Sequence, residues 1–279
     1  MTVEVLVERF THPLLPEAVN RYRLSLNGAT VFIDAGLDAP QGGVVVVTHY
    51  HWDHTLGLAR ARGLRVCMSP ETLKAIDPGR AMDSVKTVLE AVGYGGLAEY
   101  ARPYTSQYGE IKEALARHDI YTLDECPAPG VEAVPCPGHS EDHHCILAGG
   151  HVFLGDNYVP YTLSTTLSSP MDYMGSMHRV LSLDWDKAYP GHGDPGGKAD
   201  LAGWLTKVLE RKMARIAALA RLAGEGVDMR AALHRMYPGV EGATLFLAAR
   251  NLVGYARALE ELGVVRVDRG RSPWAIRSR

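Results

Sequence analysis

Hydrophobic and polar residues alternate with a period of two in the first third of the chain. TVEVLVERF (2–10) and NRYRLSLNG (20–28) alternate, and ATVFIDAG (29–36) is an apolar run ending on Asp34 and Gly36. This pattern predicts strands, and Asn27-Gly28 between two of them predicts a tight hairpin. VVVVT (44–48) is apolar throughout, as in a strand buried on both faces. Residues 54–61 read as a helix and LRVCMS (64–69) as a short strand. Over 70–118 the period changes to that of helices (AMDSVKTVLEAV, GEIKEALARH), broken by GYGG and ARPYTSQYG, which predicts a helical insertion. Strands resume at DIYTL, VEAVPC, HCILAG and HVFLG; MDYMGSMHRVLSL (171–183) reads as an amphipathic helix and KAYPGHG as a strand entering a glycine-rich loop.

Strands in two sets, with helices between and outside them, fit an α/β fold of two mixed sheets packed face to face. After residue 197 the pattern changes to a long helix (KADLAGWLTKVLERKMARIAALARLA), two further helices (MRAALHRMY, ATLFLAARNLVGYARALEELG) and a hairpin (VVRVD, SPWAIR). Helices followed by a β-hairpin are a winged-helix pattern. Charge divides at the same point: residues 1–197 carry 14 Lys and Arg against 24 Asp and Glu, and 198–279 carry 15 against 8. An acidic body with a basic tail predicts two modules, 1–197 and 198–279.

The 279 residues suffice for one large and one small unit. No apolar run approaches the ~18–20 residues of a membrane helix. The charged start of the chain (Glu4, Glu8, Arg9) is unlike a signal peptide, so a cytoplasmic protein is expected. Cys67, Cys126, Cys136 and Cys145 form no Cys-x-x-Cys pair and are expected to be small buried hydrophobes.

The candidate chemistry lies in THYHWDH (48–54). His49 and His51 are two apart and point to one side of an extended segment. Asp53 and His54 follow where a helix begins; Asp53 also suits a helix cap. PGHS then places His139 after VEAVPC, FLGD places Asp156 after an apolar run, and YPGHG places His192 after KAY. Each donor stands at a strand end, and such ends converge at one rim of a sandwich. Imidazole and carboxylate together suit Zn(II), and also Fe(II) or Mn(II). His12, His118, His151, His178 and His234 lack this context and read as structural or surface residues.

THYHWDH, PGHS, GD and PGHG, in that order, resemble the motifs of the metallo-β-lactamase fold hydrolases, and IDAG (33–36) looks like their first motif. The resemblance covers about residues 1–197 and implies an αββα sandwich with a two-metal site along one edge. By motif, His49, His51 and His139 would hold one metal, Asp53, His54 and His192 the other, and Asp156 would bridge them, with Asp34 orienting ligands from behind. HSEDHHCIL, GDNYV and the predicted tail are similar to the β-lactamase-like hydrolases that end in a winged helix. In that likeness His143 matches a pocket histidine; it also reads as an ordinary residue at a strand start.

Two divalent metals, Zn first, imply a hydrolase that attacks with a metal-bound hydroxide. Asp53 would help to orient the nucleophile and His143 is a candidate acid for the leaving group. Tyr158 and Tyr161 either line the pocket or pack. The acidic body favours a small ester, thioester or lactone, whereas the basic tail admits a nuclease acting on single-stranded RNA or DNA. The expected partner is a small-molecule substrate, with nucleic acid as the alternative, a homodimer left open and no membrane.

Overall fold

Six strands build the first sheet in chain order: β1 (Thr2–Arg9), β2 (Ala18–Leu26), β3 (Ala29–Ile33), β4 (Val44–Val46), β5 (Arg65–Cys67) and β6 (Asp119–Tyr121). The computed structural model describes residues 1–10, 18–162 and 167–279, with the side chains of 101–104 set aside. β1, β2 and β3 pair antiparallel, and β3 to β6 run parallel. Asn27 and Gly28 both have positive φ, 51° and 81°, as the two-residue hairpin between β2 and β3 requires. β4 is bonded on both sides. Val45 packs toward helices on one face, and Val44 and Val46 enter the space between the sheets. Two buried faces explain the uninterrupted valines. Edge strand β1 differs: Val5 and Val7 are exposed, while Glu8 turns inward to pair with Arg21 at 3.0 Å.

The second sheet contains β7 (Val131–Pro135), β8 (His144–Ala148), β9 (His151–Gly155), β10 (Lys187–Pro190) and β11 (Gly196–Gly197), in the order β11-β10-β9-β8-β7. Tyr22, Leu24 and Ile33 from one sheet meet Ile146, Phe153 and Tyr189 from the other. Helix α1 (Trp52–Ala59) and, from the insertion, α5 (Tyr108–Leu115) cover the outer face of the first sheet through Leu56, Leu58 and Ile111. Between α1 and α5 lie α2 (Pro70–Ala75), α3 (Pro78–Val92) and α4 (Ala98–Thr105). Helix α6 (Pro170–Ser182) and the first half of α7 (Lys198–Gly224) cover the second sheet through Tyr173, Met177, Leu201 and Trp204. The layers are helix, sheet, sheet, helix, each element burying its apolar face on the next.

Helices α8 (Met229–Met236) and α9 (Gly242–Glu261) precede an antiparallel pair, β12 (Val265–Asp268) and β13 (Ala275–Ser278). Their core joins Leu233, Phe246, Leu252 and Ile276 to Ile216 and Leu219 of α7 and to Val85 and Val88 of α3. The insertion is thus built into the C-terminal core, and Trp274 N donates to Ala91 O at 2.9 Å. Helix α7 serves both cores, because its apolar residues continue past the end of the sandwich.

The cysteines depart from expectation. Cys67 is joined to Cys126 and Cys136 to Cys145, with Cα separations of 5.5 and 5.6 Å. Tertiary structure, not a spacing motif, brings them together: Cys136 follows β7 and Cys145 lies on its antiparallel neighbour β8. The second bridge closes the loop that carries His139 and His143. Among the described residues no helix is long and apolar enough to cross a membrane. His118 bridges α1 and β5, its Nε2 lying 2.9 Å from Leu58 O, as a structural residue should; His12 lies outside the described residues.

Candidate metal centre

The donors follow strands that run the same way. Asp34 comes after β3, His49 to His54 after β4, His139 after β7, Asp156 after β9 and His192 after β10. β3 and β4 are parallel, as are β9 and β10, and β7 shares their direction through two antiparallel pairings. All five loops therefore open at one edge of the sandwich. The sheets are joined there by Asn20 N donating to Gly191 O (2.7 Å) and His144 N to Thr48 O (2.8 Å).

Seven side chains meet at this edge as two groups, His49, His51, His139 and Asp156 in one, and Asp53, His54 and His192 in the other. In the first, His51 Nδ1 lies 3.1 Å from His49 Nε2 and 2.9 Å from His139 Nε2. Asp156 faces both groups. Its Oδ2 is 3.4 Å from His139 Nε2, and its Oδ1 is 3.1 Å from His54 Nε2 and 3.2 Å from His192 Nε2. Asp53 Oδ2 completes the second group, 3.3 Å from His192 Nε2. The structure thus brings together every residue predicted to hold metal.

Outer hydrogen bonds fix which imidazole nitrogen faces inward. His54 Nδ1 donates to Asp34 Oδ2 at 2.8 Å and His192 Nδ1 to Ala18 O at 2.6 Å, so each presents Nε2 as the nitrogen a metal would take. The Thr48 hydroxyl donates to Asp34 (2.9 Å to Oδ2) and can then accept only from His49 Nδ1, 3.0 Å away. Asp34 has φ +64°, a conformation that Asp adopts more readily than most residues. From it the carboxylate reaches both loops.

The site fits a cation. Asp53 Oδ2, His54 Nε2, Asp156 Oδ1 and His192 Nε2 are buried and make no hydrogen bond of acceptable geometry. Buried polar atoms without partners are costly, and a shared metal would satisfy all four. Burial pushes His49 and His51 well below the ordinary imidazole value, and neighbouring imidazoles add to the shift. For His54 and His192 burial also opposes the charge, but Asp156 and Asp53 outweigh it, with Asp34 helping at His54. His54 rises well above its usual value and His192 rises to about 10. Burial disfavours the Asp156 anion, yet the two imidazoles hold it well below the carboxylate range. These carboxylates concentrate positive charge, whether it is carried by protons or by a metal.

Two glycines make the approach possible. A Cβ on Gly191 would lie 2.4 Å from Asp156 Oδ1, and one on Gly155 would lie 2.7 Å from His143 Nε2. The glycines of FLGD and YPGHG are thus required by close contact.

Other candidates fall elsewhere. His143 is 1 % exposed and stacks on His49 with ring centroids 4.8 Å apart, behind the ligands and away from any cavity wall. From this position His143 supports the His49 ring, and the acid role expected of it rests on the resemblance alone. Tyr158 packs edge-on against Trp204 at 5.0 Å and belongs to the core, while Tyr161 is exposed beside Gly193. Sequence reasoning missed Asp142, which accepts from Tyr50 N (2.8 Å), Thr72 Oγ1 (2.8 Å) and Ser140 Oγ (2.6 Å) and ties the His139 loop to the His51 loop. It also missed Asn157, which accepts from His139 N at 3.2 Å and donates to Cys136 O at 2.7 Å. Polar residues beside the GH and GD motifs were their only signal.

This architecture is that of the metallo-β-lactamase fold, which the chain has. A metallo-β-lactamase family protein from Thermus thermophilus superposes with a TM-score of 0.71 at 18% identity, covering 99% of this chain and 98% of that one. A β-lactamase domain protein from Burkholderia ambifaria gives 0.74 at 17% identity, covering 99% and 91%. Among curated proteins, thioesterase pkgB of Emericella nidulans is 26% identical over 197 residues, 64% of this chain and 46% of that protein. The chain therefore spans about half the length of this relative. No protein-family model matches it.

Proposed function

We propose that this chain is a metal-dependent hydrolase of a small acyl substrate, a thioester in the first place, with esters and lactones in the same class. One observation carries the reading: the two oxygens of Asp156 face two separate groups of buried donors. His49, His51 and His139 would hold one divalent cation, Asp53, His54 and His192 the other, and Asp156 both. Zinc, iron and manganese all suit these donors. When bound, such cations supply Lewis acidity and ionise water near neutral pH. The protein's own part is to keep imidazole lone pairs aimed inward through Asp34, Thr48 and Ala18. Asp53 also presents a carboxylate that orients the attacking water. The kinship with a thioesterase supports the acyl substrate.

We read residues 198–279 as a winged-helix-like unit that forms one wall of the site. The apolar face of α9 (Leu245, Phe246, Leu252, Leu259) is spent on the core, which fits a packing role for this helix. The disulfides bear on the compartment: such bonds are commonest under oxidising conditions and in intracellular proteins of hyperthermophiles, which weighs against an ordinary reducing cytosol.

The test is an assay of metal-loaded protein on an acyl thioester, a p-nitrophenyl ester and labelled single-stranded RNA, beside Asp156→Ala. Thioester or ester turnover is expected, with loss of at least a hundredfold and of bound metal in the variant. Equal activity in metal-stripped protein refutes the reading. Cleavage of the RNA alone replaces it with a nuclease.

A further inference from the structure

A cavity of about 690 Å³ opens beside His139, between the insertion, the 139–142 loop and α9. Ala81, Val88, Leu167 and Val253 give it an apolar lining. A small crevice lined by His51 shares Tyr50 and Arg250 with its wall, and His139 lines the cavity itself, so the cavity adjoins the first group of metal donors.

The charged groups on the wall divide into those already engaged and those that are not. Asp142 is saturated by three donors. Glu141 is bonded to Arg257 at 2.7 Å, and Asp83 pairs with Lys86 at 3.4 Å. Glu71 and Lys74 are exposed neighbours on α2 and cancel in charge. Arg80 and Arg250 remain, and neither guanidinium makes a hydrogen bond or ion pair among the described residues. Arg80 is exposed and solvated, whereas Arg250 is half-buried, between the cavity and His51. Withdrawing a guanidinium from water without an anion is unfavourable, and among the described residues no carboxylate pairs with it. Arg250 also comes from the C-terminal segment, which supplies none of the metal donors.

We propose that Arg250 is the specificity-determining residue of this cavity, and that the substrate carries an anionic group, carboxylate or phosphate, which pairs with its guanidinium while the acyl bond lies at the metal centre. Guanidinium matches both anions with two parallel hydrogen bonds, and the half-buried setting strengthens them. This deepens the proposed hydrolysis and rests on it: the substrate class narrows to acidic acyl compounds.

The experiment compares matched N-acetylcysteamine thioesters, glutaryl against valeryl, and adds a coenzyme A thioester of valerate to place the anion on the leaving group. These are measured in wild type, Arg250→Met and Arg250→Lys, with metal content and thermal melting checked for each. Wild type is expected to favour an anionic substrate over neutral valeryl-N-acetylcysteamine by at least tenfold in kcat/KM, carried mainly by KM. Preference for glutaryl identifies a carboxylate on the acyl chain, and preference for the coenzyme A ester a phosphate on the thiol side. The ratio should fall toward one in Arg250→Met and recover in part in Arg250→Lys. Equal rates on all three substrates in wild type overturn the inference and leave the hydrolase reading intact, and so does a preference that survives in Arg250→Met. Calorimetric binding of glutarate and of inorganic phosphate supplies a readout free of turnover. Arg250-dependent binding without hydrolysis of any ester retains the anion site and refutes the hydrolase. Absence of binding together with absence of preference refutes the site.

Discussion

Replacing Asp34 by Asn removes one charge and no atoms, and the structure says where the loss should appear. Asn tolerates the φ of +64° found at this position, so the backbone is kept. Thr48 N–H, 2.7 Å from Oδ1, can only donate, so the amide oxygen must take that side. The amide NH₂ then faces His54 Nδ1, where Oδ2 now accepts at 2.8 Å. Two donors cannot face each other, so His54 must accept at Nδ1 and carry its proton on Nε2, the atom aimed at Asp156 and His192. A charge-assisted hydrogen bond of about 1.5–3 kcal/mol is lost from the metal-binding tautomer. At about 1.4 kcal/mol per decade this weakens binding at the His54 group roughly 10–150-fold. Outer partners of ligating histidines commonly give about 10–100-fold. Dialysis against chelator-buffered metal, with bound metal counted by mass spectrometry, should show one equivalent weakened and the other near its wild-type affinity. Two equivalents at wild-type affinity in a folded Asp34→Asn protein would refute the tautomer argument.

Two further predictions concern stability. Lys212 is 3 % exposed, and burial, with Arg211 and Arg215 nearby, lowers its value from 10.5 to about 7. The unfolded chain therefore binds more protons between pH 7 and 10.5, and stability should rise with pH across that window. Lys212→Met should raise stability at neutral pH, by less than the burial penalty because the bond to Asn251 Oδ1 at 3.0 Å is lost with it, and flatten the rise; melting curves at pH 7 and 9.5 check both, and an unchanged slope refutes the assignment. Phe153 is fully buried between the sheets, 4.9 Å from the Tyr189 ring, so Phe153→Ala should cost about 3–5 kcal/mol in denaturant unfolding; a loss below about 1 kcal/mol would show that the cavity collapses.

Much of this was legible in the sequence, for a reason visible in β4. A strand buried on both faces must be apolar, so the polar cluster that follows it must lie where burial ends, at the rim. The same logic located His139, Asp156 and His192, since each motif follows an apolar run. What stayed hidden depends on long-range register. Nothing local says that Cys67 meets Cys126 across 59 residues, or that Asp142 reaches Thr72. The placement of His143 was not legible, because outside a helix a spacing of four does not say where a side chain points. Here Gly138 and the turn after it send His139 into the site, while His143 turns behind His49. Arg250 gave no signal because its helical neighbours pack in an ordinary core.

Because α3 is interleaved with the tail's core, the acidic body and the basic tail are dovetailed and not two beads on a string. A chain cut after residue 197 would keep all seven donors in its sequence, yet lose the far bank of the cavity, the anchor for the insertion, and the cover that Leu201 and Trp204 give the second sheet. On the role proposed for Arg250, selectivity is held by a residue more than a hundred positions from His51 and His139, the donors it lies beside.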